Sequence, residues 1–223
     1  SYYVEALMKE GGGGDNLAVA WQGPGIPGPA VIPGAYLSTS PITTAMAPEE
    51  AQLNGAIVAG GTETWQTVTL PTTYSDAVII ATPRLAPGGV PVVTRGRNVG
   101  PDSFELRVQN PGDLAATGPV DVHYVALEAG TYSGNGVQFE AGVRTIATAD
   151  HDASWTPEPH GYVQTYTNPV VLGQVMTAND DRFSVFWASD GSQQNPPNAS
   201  SVAGGLHVAE DPQNTRSAEQ IGY

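Results

Sequence analysis

The chain has no cysteine, a single lysine (Lys9) beside seven arginines, and no long apolar run. Each absence excludes something. Without cysteine there is no disulfide framework, so stability must come from core burial or bound ions. With so few basic residues there is no patch to neutralise phosphate, which excludes nucleic acid and disfavours anionic membrane surfaces. No stretch approaches the ~18 apolar residues of a spanning helix, and Ser1-Tyr2-Tyr3 does not read as a signal peptide, so no membrane insertion is expected. Charge itself is scarce, at 13% of residues against a usual share of ~25%. What charge there is runs acidic, to a formal net −14.

What is present points to strands. Hydrophobic residues make up 40% of the 223, enough for a real core, while 27 glycines and 19 prolines are spread along the chain. That pattern fits many short strands joined by turns. An acidic, lysine-poor, Thr/Gly/Asn-rich surface suits a secreted bacterial protein, so an extracellular or cell-surface location is expected.

Tyr2 to Leu7 reads as a strand, Gly11 to Asn16 as a turn, and Leu17 to Trp21 as a second, alternating strand. The four glycines are not a phosphate loop, because no Gly-Lys-Ser/Thr follows them. With "IPGAYLS" at Ile32 to Ser38, residues 1–38 resemble the closing strands of a PA14-like β domain of large secreted bacterial proteins. A hairpin alone is marginal, so it is expected to pack on the rest of the chain, on a missing part or on a neighbour. The Pro/Gly-rich stretch from residue 23 onward cannot be helical; residues 39–56 read as linker, with one short helical turn from Pro48 to Leu53.

From Ile57 strand signals are dense. "WQTVTL" alternates, "AVIIATPRL" is a continuous apolar run suited to a buried strand, and "SFELRVQN" puts Phe104, Leu106 and Val108 on one face. "VDVHYVALEAG" closes a first unit, 57–131. A second unit, 132–223, repeats its order. "TYSDAVII" (Thr73 to Ile80) returns as "TYTNPVVL" (Thr165 to Leu172), Trp65 as Trp155, and Phe104 as Phe183. Gly222-Tyr223 aligns with His123-Tyr124, so the second unit is expected to lack its last strand, the equivalent of "VALEAG". A repeat of about 90 residues is too long for a solenoid and suits tandem sandwiches. The fold class read from the sequence is therefore all-β: two tandem antiparallel β-sandwiches preceded by a β-hairpin. The first unit, from "WQTVTLPTTYSDAVIIATP" to "VHYVALEAG", resembles the H-type lectins. That resemblance implies small six-stranded sandwiches that assemble as trimers and bind sugars; it lies in core positions and transfers no binding residue.

Candidate chemistry is sparse. Asn179, Asp180 and Asp181, with Asp190 and Glu210-Asp211, offer short carboxylates that could converge on calcium or serve as turn formers. Asp150-His151-Asp152 with Glu158 and His160 offers zinc or calcium ligands, or a solvated loop. Asp180, Asp181, Arg182, Trp187 and Asp190 form the expected ligand-binding set, carboxylates and a ring being what a sugar needs. Trp65 and Trp155 recur and read as core; Tyr74 and Tyr166 read as corner residues whose hydroxyls tie down a loop. Arg95 and Arg97 share a face and suit an acidic sugar or neighbouring acids. No Gly-x-Ser-x-Gly elbow occurs, and no catalysis is expected. The leading expectation is a non-catalytic carbohydrate-binding or adhesion module binding a polysaccharide or glycan, with calcium as the one cofactor the acids suggest. The alternatives are a subunit or spacer of an extracellular fibre, self-associating through strand edges, and a fragment of a polysaccharide-degrading enzyme.

Overall fold

Every regular element in a computed structural model of the chain is a strand, some alternating in polarity and some buried on both faces. It describes residues 20–23, 26–31, 51–86, 89–111, 118–134, 136–150, 156–192, 195–208 and 216–223, and no helix occurs among them. The chain divides into two units, Ser1–Met46 and Ala47–Tyr223.

In the first unit β1 (Ala20–Gly23) and β2 (Ile26–Val31) form an antiparallel hairpin. β2 lies in the Pro/Gly-rich stretch that follows residue 23, where no strand is expected from the sequence. Pro27 and Pro29 stand two apart, so their nitrogens turn to the same side of the strand, and a strand paired on one side can accommodate both. The expected strand at Tyr2 to Leu7 and the turn at Gly11 to Gly14 lie outside the described residues.

In the second unit the first six strands make two facing three-stranded sheets. One contains β3 (Leu53–Gly61), β8 (Val120–Glu128) and β5 (Ala77–Pro83), with β8 in the middle; the other contains β4 (Gln66–Thr69), β7 (Ser103–Gln109) and β6 (Val93–Arg97), with β7 in the middle. Leu53, expected to close a helical turn, instead opens β3. Phe104, Leu106 and Val108 alternate inward from β7 and meet Val122, Tyr124 and Ala126 of β8 in one buried core. The Phe104 and Tyr124 rings meet edge to face at 5.2 Å, a favoured aromatic geometry. Tyr74 is 1% exposed. Its hydroxyl accepts from Asn54 Nδ2 (2.8 Å) and donates to the Ala126 carbonyl (3.3 Å), tying β3 to β8.

A hairpin of β9 (Gly130–Gly134) and β10 (Val137–Ala141) follows. Then the strand order recurs. β11 (Val143–Ile146), β17 (Glu219–Gly222) and β14 (Gln174–Val175) form one sheet with β17 central; β13 (Glu158–Gly161), β16 (Ser201–His207) and β15 (Val185–Ser189) form another with β16 central. The addition is β12 (Ala149–Asp150), parallel to the end of β16. All other pairings are antiparallel. Ile146, Val175, Leu206 and Ile221 form this half's smaller core, with Phe186 against it.

Three details of the sequence alignment are corrected. "PVVL" is not the second buried strand: Val170 is 86% exposed, and the counterpart of β5 is β14. The reason is local. Asn168 takes a left-handed φ of 53°, which Asn tolerates, and Pro169 has no N–H for a ladder. "VFWAS" corresponds to the flanking strand β6 and not to β7, whose counterpart is "SVAGGLH" in β16. The closing strand is also present: β17 lies between β11 and β14 as β8 lies between β3 and β5, although it has four residues where β8 has nine.

The two halves of this unit share a buried polar junction. Arg95 of β6 and Glu219 of β17 are both 0% exposed and lie 3.4 Å apart. Gln174 of β14 donates from Nε2 to the Thr94 carbonyl of β6 (3.0 Å), and Ile79 N donates to Met176 Sδ (3.3 Å).

Candidate functional site: a tyrosine-lined cleft around Glu140

β10 carries Glu140, and β13 runs out into Tyr162. The chain after β13 is pinned to the loop before β16 by Tyr162 N to the Ser200 carbonyl (3.0 Å) and Tyr166 N to the Ala199 carbonyl (2.8 Å). This brings residues 162–172 beside β10. Glu140 Oε2 then accepts from Val163 N (2.9 Å), Gln164 N (3.3 Å) and the Tyr166 hydroxyl (3.0 Å). Gln164 Nε2 reaches the Phe139 carbonyl (3.3 Å), so the segment is held at several points.

From the far side comes Tyr223. Its backbone exchanges hydrogen bonds with Gly142 (3.0 and 3.1 Å), and its hydroxyl meets His160 Nε2 at 2.7 Å. Position 142 must be glycine for this, because a Cβ there would come within 2.9 Å of the Tyr223 hydroxyl.

Between these elements lies a cleft of about 360 Å³. Phe139, Glu140, Tyr162, Tyr166 and Tyr223 line it, Ile80 and Leu127 of the preceding half border it, and Val170 and Leu172 reach it from the exposed segment. The Tyr162 and Tyr166 rings stand edge to face at 5.3 Å and 86°. Glu140 has the one charged side chain among the described lining residues. Two polar atoms of the lining, Glu140 Oε1 and the Tyr162 hydroxyl, are buried with no hydrogen-bond partner in the structure. Such atoms are costly unless something else satisfies them.

Titration in the cleft follows from burial. Burial, then the bond to Glu140, pushes the Tyr166 phenol up to about 12. Burial and the Glu140 charge raise Tyr162 and Tyr223 as well. Burial, then the nearby Arg144 charge, lowers His160, which is thus neutral at pH 7. The cleft is therefore lined by neutral phenols, aromatic rings and a glutamate one of whose oxygens is buried without a partner.

The residues singled out from the sequence lie elsewhere. Asn179, Asp180 and Asp181 belong to a loop wrapped around the Arg95–Glu219 pair. Arg95 donates to the carbonyls of Thr177 (3.2 Å), Asp180 (3.2 Å) and Arg182 (2.8 Å). Glu219 accepts from the backbone N of Asn179 (3.1 Å) and Asp180 (3.0 Å) and from the Thr177 hydroxyl. The Asp180 carboxylate is occupied by Arg182 at 2.5 and 2.8 Å, which holds its pKa at about 2. The Asp181 carbonyl accepts from Gln109 Nε2 (2.9 Å) and Arg107 (3.2 Å). A calcium ion here would have to displace a guanidinium from Asp180, and among the described residues no three His, Asp or Glu side chains converge as metal ligands.

Asp190 is a turn former: its carboxylate accepts from Ser192 N (2.6 Å) and Asn195 Nδ2 (3.3 Å). Trp187 sits half-buried on β15 opposite Gly205. Glu158 caps backbone N–H groups of Ala147 and Thr148. His151, Asp152, Trp155, Glu210 and Asp211 lie outside the described residues. Trp65 is not core; it is half-buried, with the guanidinium carbons of Arg97 and Arg107 at 4.2 and 4.6 Å from its ring centre. Arg97 pairs with Glu105 at 2.7 Å, so Arg95 and Arg97 serve neighbouring acids.

Searches against protein-family models, curated proteins and solved structures find no match for this chain.

Proposed function

We propose that this chain is a non-catalytic carbohydrate-binding module of a large secreted or cell-surface protein. In this reading the two sets of six strands are lectin-like sandwiches in tandem, and the hairpin unit before them belongs to a PA14-like domain. The cleft around Glu140 holds the sugar, in place of the 179–190 loops. One observation carries the proposal: two residues that line an aromatic cleft, Glu140 and Tyr162, each hold a buried polar atom without a partner. Pyranose hydroxyls supply the missing bonds, and ring C–H faces stack on tyrosine. Concave, mostly apolar sites with a few convergent polar groups are where small ligands bind. Hydrolysis of a glycoside commonly uses two carboxyl groups flanking one bond, and a single carboxylate stands among the described lining residues.

Affinity electrophoresis of the full chain through gels containing soluble polysaccharides tests the reading, with Tyr162→Phe and Glu140→Gln beside the parent. Retardation that both substitutions weaken is expected. No retardation in any polysaccharide rejects it.

A second reading, self-association through strand edges, is favoured by β3. This nine-residue strand flanks its sheet, is paired on one side by β8, and leaves Ile57 57% exposed. Such edges template pairing with another chain. Sedimentation velocity over a wide concentration range tests it, and a monomer throughout rules it out.

A further inference from the structure

We infer that the sugar this cleft selects carries a primary ammonium group, as an amino sugar does. The inference rests on the carbohydrate reading above and specifies the ligand class at that same site. Glu140 lines the cleft, and its Oε1 is buried without a donor, while its other oxygen is already saturated by two backbone N–H groups and the Tyr166 hydroxyl. A ligand must therefore bring a donor to a buried, charged oxygen. A charge-assisted bond from an ammonium is roughly twice as strong as one from a neutral hydroxyl.

The described lining itself carries no competing base, neither lysine nor arginine; Arg144 stands outside it, with its Nη1 buried and without a partner. Arg144, whose charge is felt at His160 and Tyr223, gives Nη2 to the Glu158 carbonyl at 2.9 Å. The rings of Tyr162, Tyr166, Tyr223 and Phe139 supply the negative π faces that attract a cation. The chain's net charge of −14 favours the approach of cations over anions. A quaternary ammonium would meet the same rings but has no N–H for Oε1, so the unpaired oxygen discriminates in favour of a protonated amine.

Three β-1,4-linked tetrasaccharides that differ at carbon 2 make the test: glucosamine, N-acetylglucosamine and glucose. Each is titrated calorimetrically into the full chain at physiological ionic strength, where the Debye length is about 8 Å and long-range attraction is damped. The glucosamine tetramer is expected to bind about tenfold tighter than the other two, a preference that Glu140→Gln abolishes and Tyr162→Phe leaves while weakening all three. Propylammonium chloride is titrated as a bare probe.

Equal affinity for the three sugars, or a preference that survives Glu140→Gln in a folded variant, overturns the ammonium inference and leaves the carbohydrate reading standing. Should Glu140→Gln fail to fold, competition decides. Propylammonium displacing the glucosamine tetramer, with tetramethylammonium inert at the same concentration, supports the inference, and equal displacement by both overturns it. Binding of propylammonium with no sugar bound defeats the carbohydrate reading alone. Silence from all four ligands defeats both.

Discussion

Replacing Glu219 with glutamine should be among the most damaging isosteric changes available to this protein. The side chain is fully buried, as is Arg95 beside it. Its two oxygens accept from Arg95, the Thr177 hydroxyl and the backbone N–H groups of Asn179 and Asp180. An amide turns one of those oxygens into a donor facing donors, and it leaves the Arg95 guanidinium with carbonyls and Gln109 but no directly paired counter-charge. Burial already disfavours the charged form of Arg95, and Glu219 is the largest opposing influence. Removing one partner of a buried pair costs about 3–5 kcal/mol. With a urea slope of about 1–3 kcal/mol/M, the unfolding midpoint should fall by at least ~1 M. Urea titration followed by circular dichroism measures this. The loss should be nearly the same at low and high salt, because neither group meets solvent and screening acts chiefly on exposed charges. Arg95→Met should cost a similar amount. The double variant Arg95→Met/Glu219→Leu should cost less than the two single losses added, because no lone charge remains. A single-variant loss under about 1 kcal/mol, the size of an ordinary substitution, would refute the reasoning. Strict additivity in the double variant would refute it too.

Other expectations follow from the packing. Tyr74→Phe should destabilise by about 1 kcal/mol through its two hydroxyl bonds, whereas Tyr166→Phe, at the equivalent place in the repeat but half-exposed, should cost less; thermal melts compare them. Gly204→Ala should cost about 1–3 kcal/mol as an overpacking change, since its Cβ would sit 2.4 Å from Phe186 Cε2. Gly191→Ala, with nothing within 4 Å, is the matched control expected to melt like the parent. Asp180 titrates at about 2 when folded, against 3.8 for a free side chain. Its folded pKa is depressed, so its contribution is complete above pH 4 and is lost as the pH falls from about 4 through 2; Asp180→Asn should flatten the stability profile in that window. Tyr166 has the opposite sign. Its folded pKa is raised, so its contribution is complete below pH 10 and is lost as the pH rises from 10 toward 12. Ultraviolet titration of tyrosinate should show several phenols ionising late, and Tyr166→Phe should remove one of them.

The strands of the first half were legible because their residues state the period openly. Phe104, Leu106 and Val108 alternate, and Ala77 to Ile80 form an apolar run long enough to be a buried strand. The second half hides the same order. Its central strand, "SVAGGLH", has glycines where β7 has large residues, since Phe186 lies close over Gly204 from the neighbouring strand. Its eight-residue match to the first half marks a corner that Asn168 and Pro169 turn away from the sheet. The site was hidden for a different reason. Glu140, Tyr162 and Tyr223 are far apart in sequence, no motif joins them, and a glutamate in "VQFEAG" looks like any solvated strand residue. The acids that did stand out at 179–181 attract notice by clustering, yet their loop is held by Arg95, a buried charge that period-two reading would place on an outer face.

β8 and β17 occupy the middle of their sheets, yet each is the last strand of its set to be made. The consequence falls on synthesis. Chains emerge at about 5–20 residues per second, N-terminal end first. β3 and β5 therefore leave the ribosome with the strand that joins them still unborn, and their ladders wait with open N–H and C=O groups. The half ending at Glu128 cannot close until its final strand is clear of the exit tunnel, and the half ending at Gly222 repeats the delay. Nascent chains arrested before Val120 should be protease-sensitive and bound by chaperones, whereas those arrested well beyond Glu128 should resist cleavage up to that point. The order of the strands thus makes each half close late.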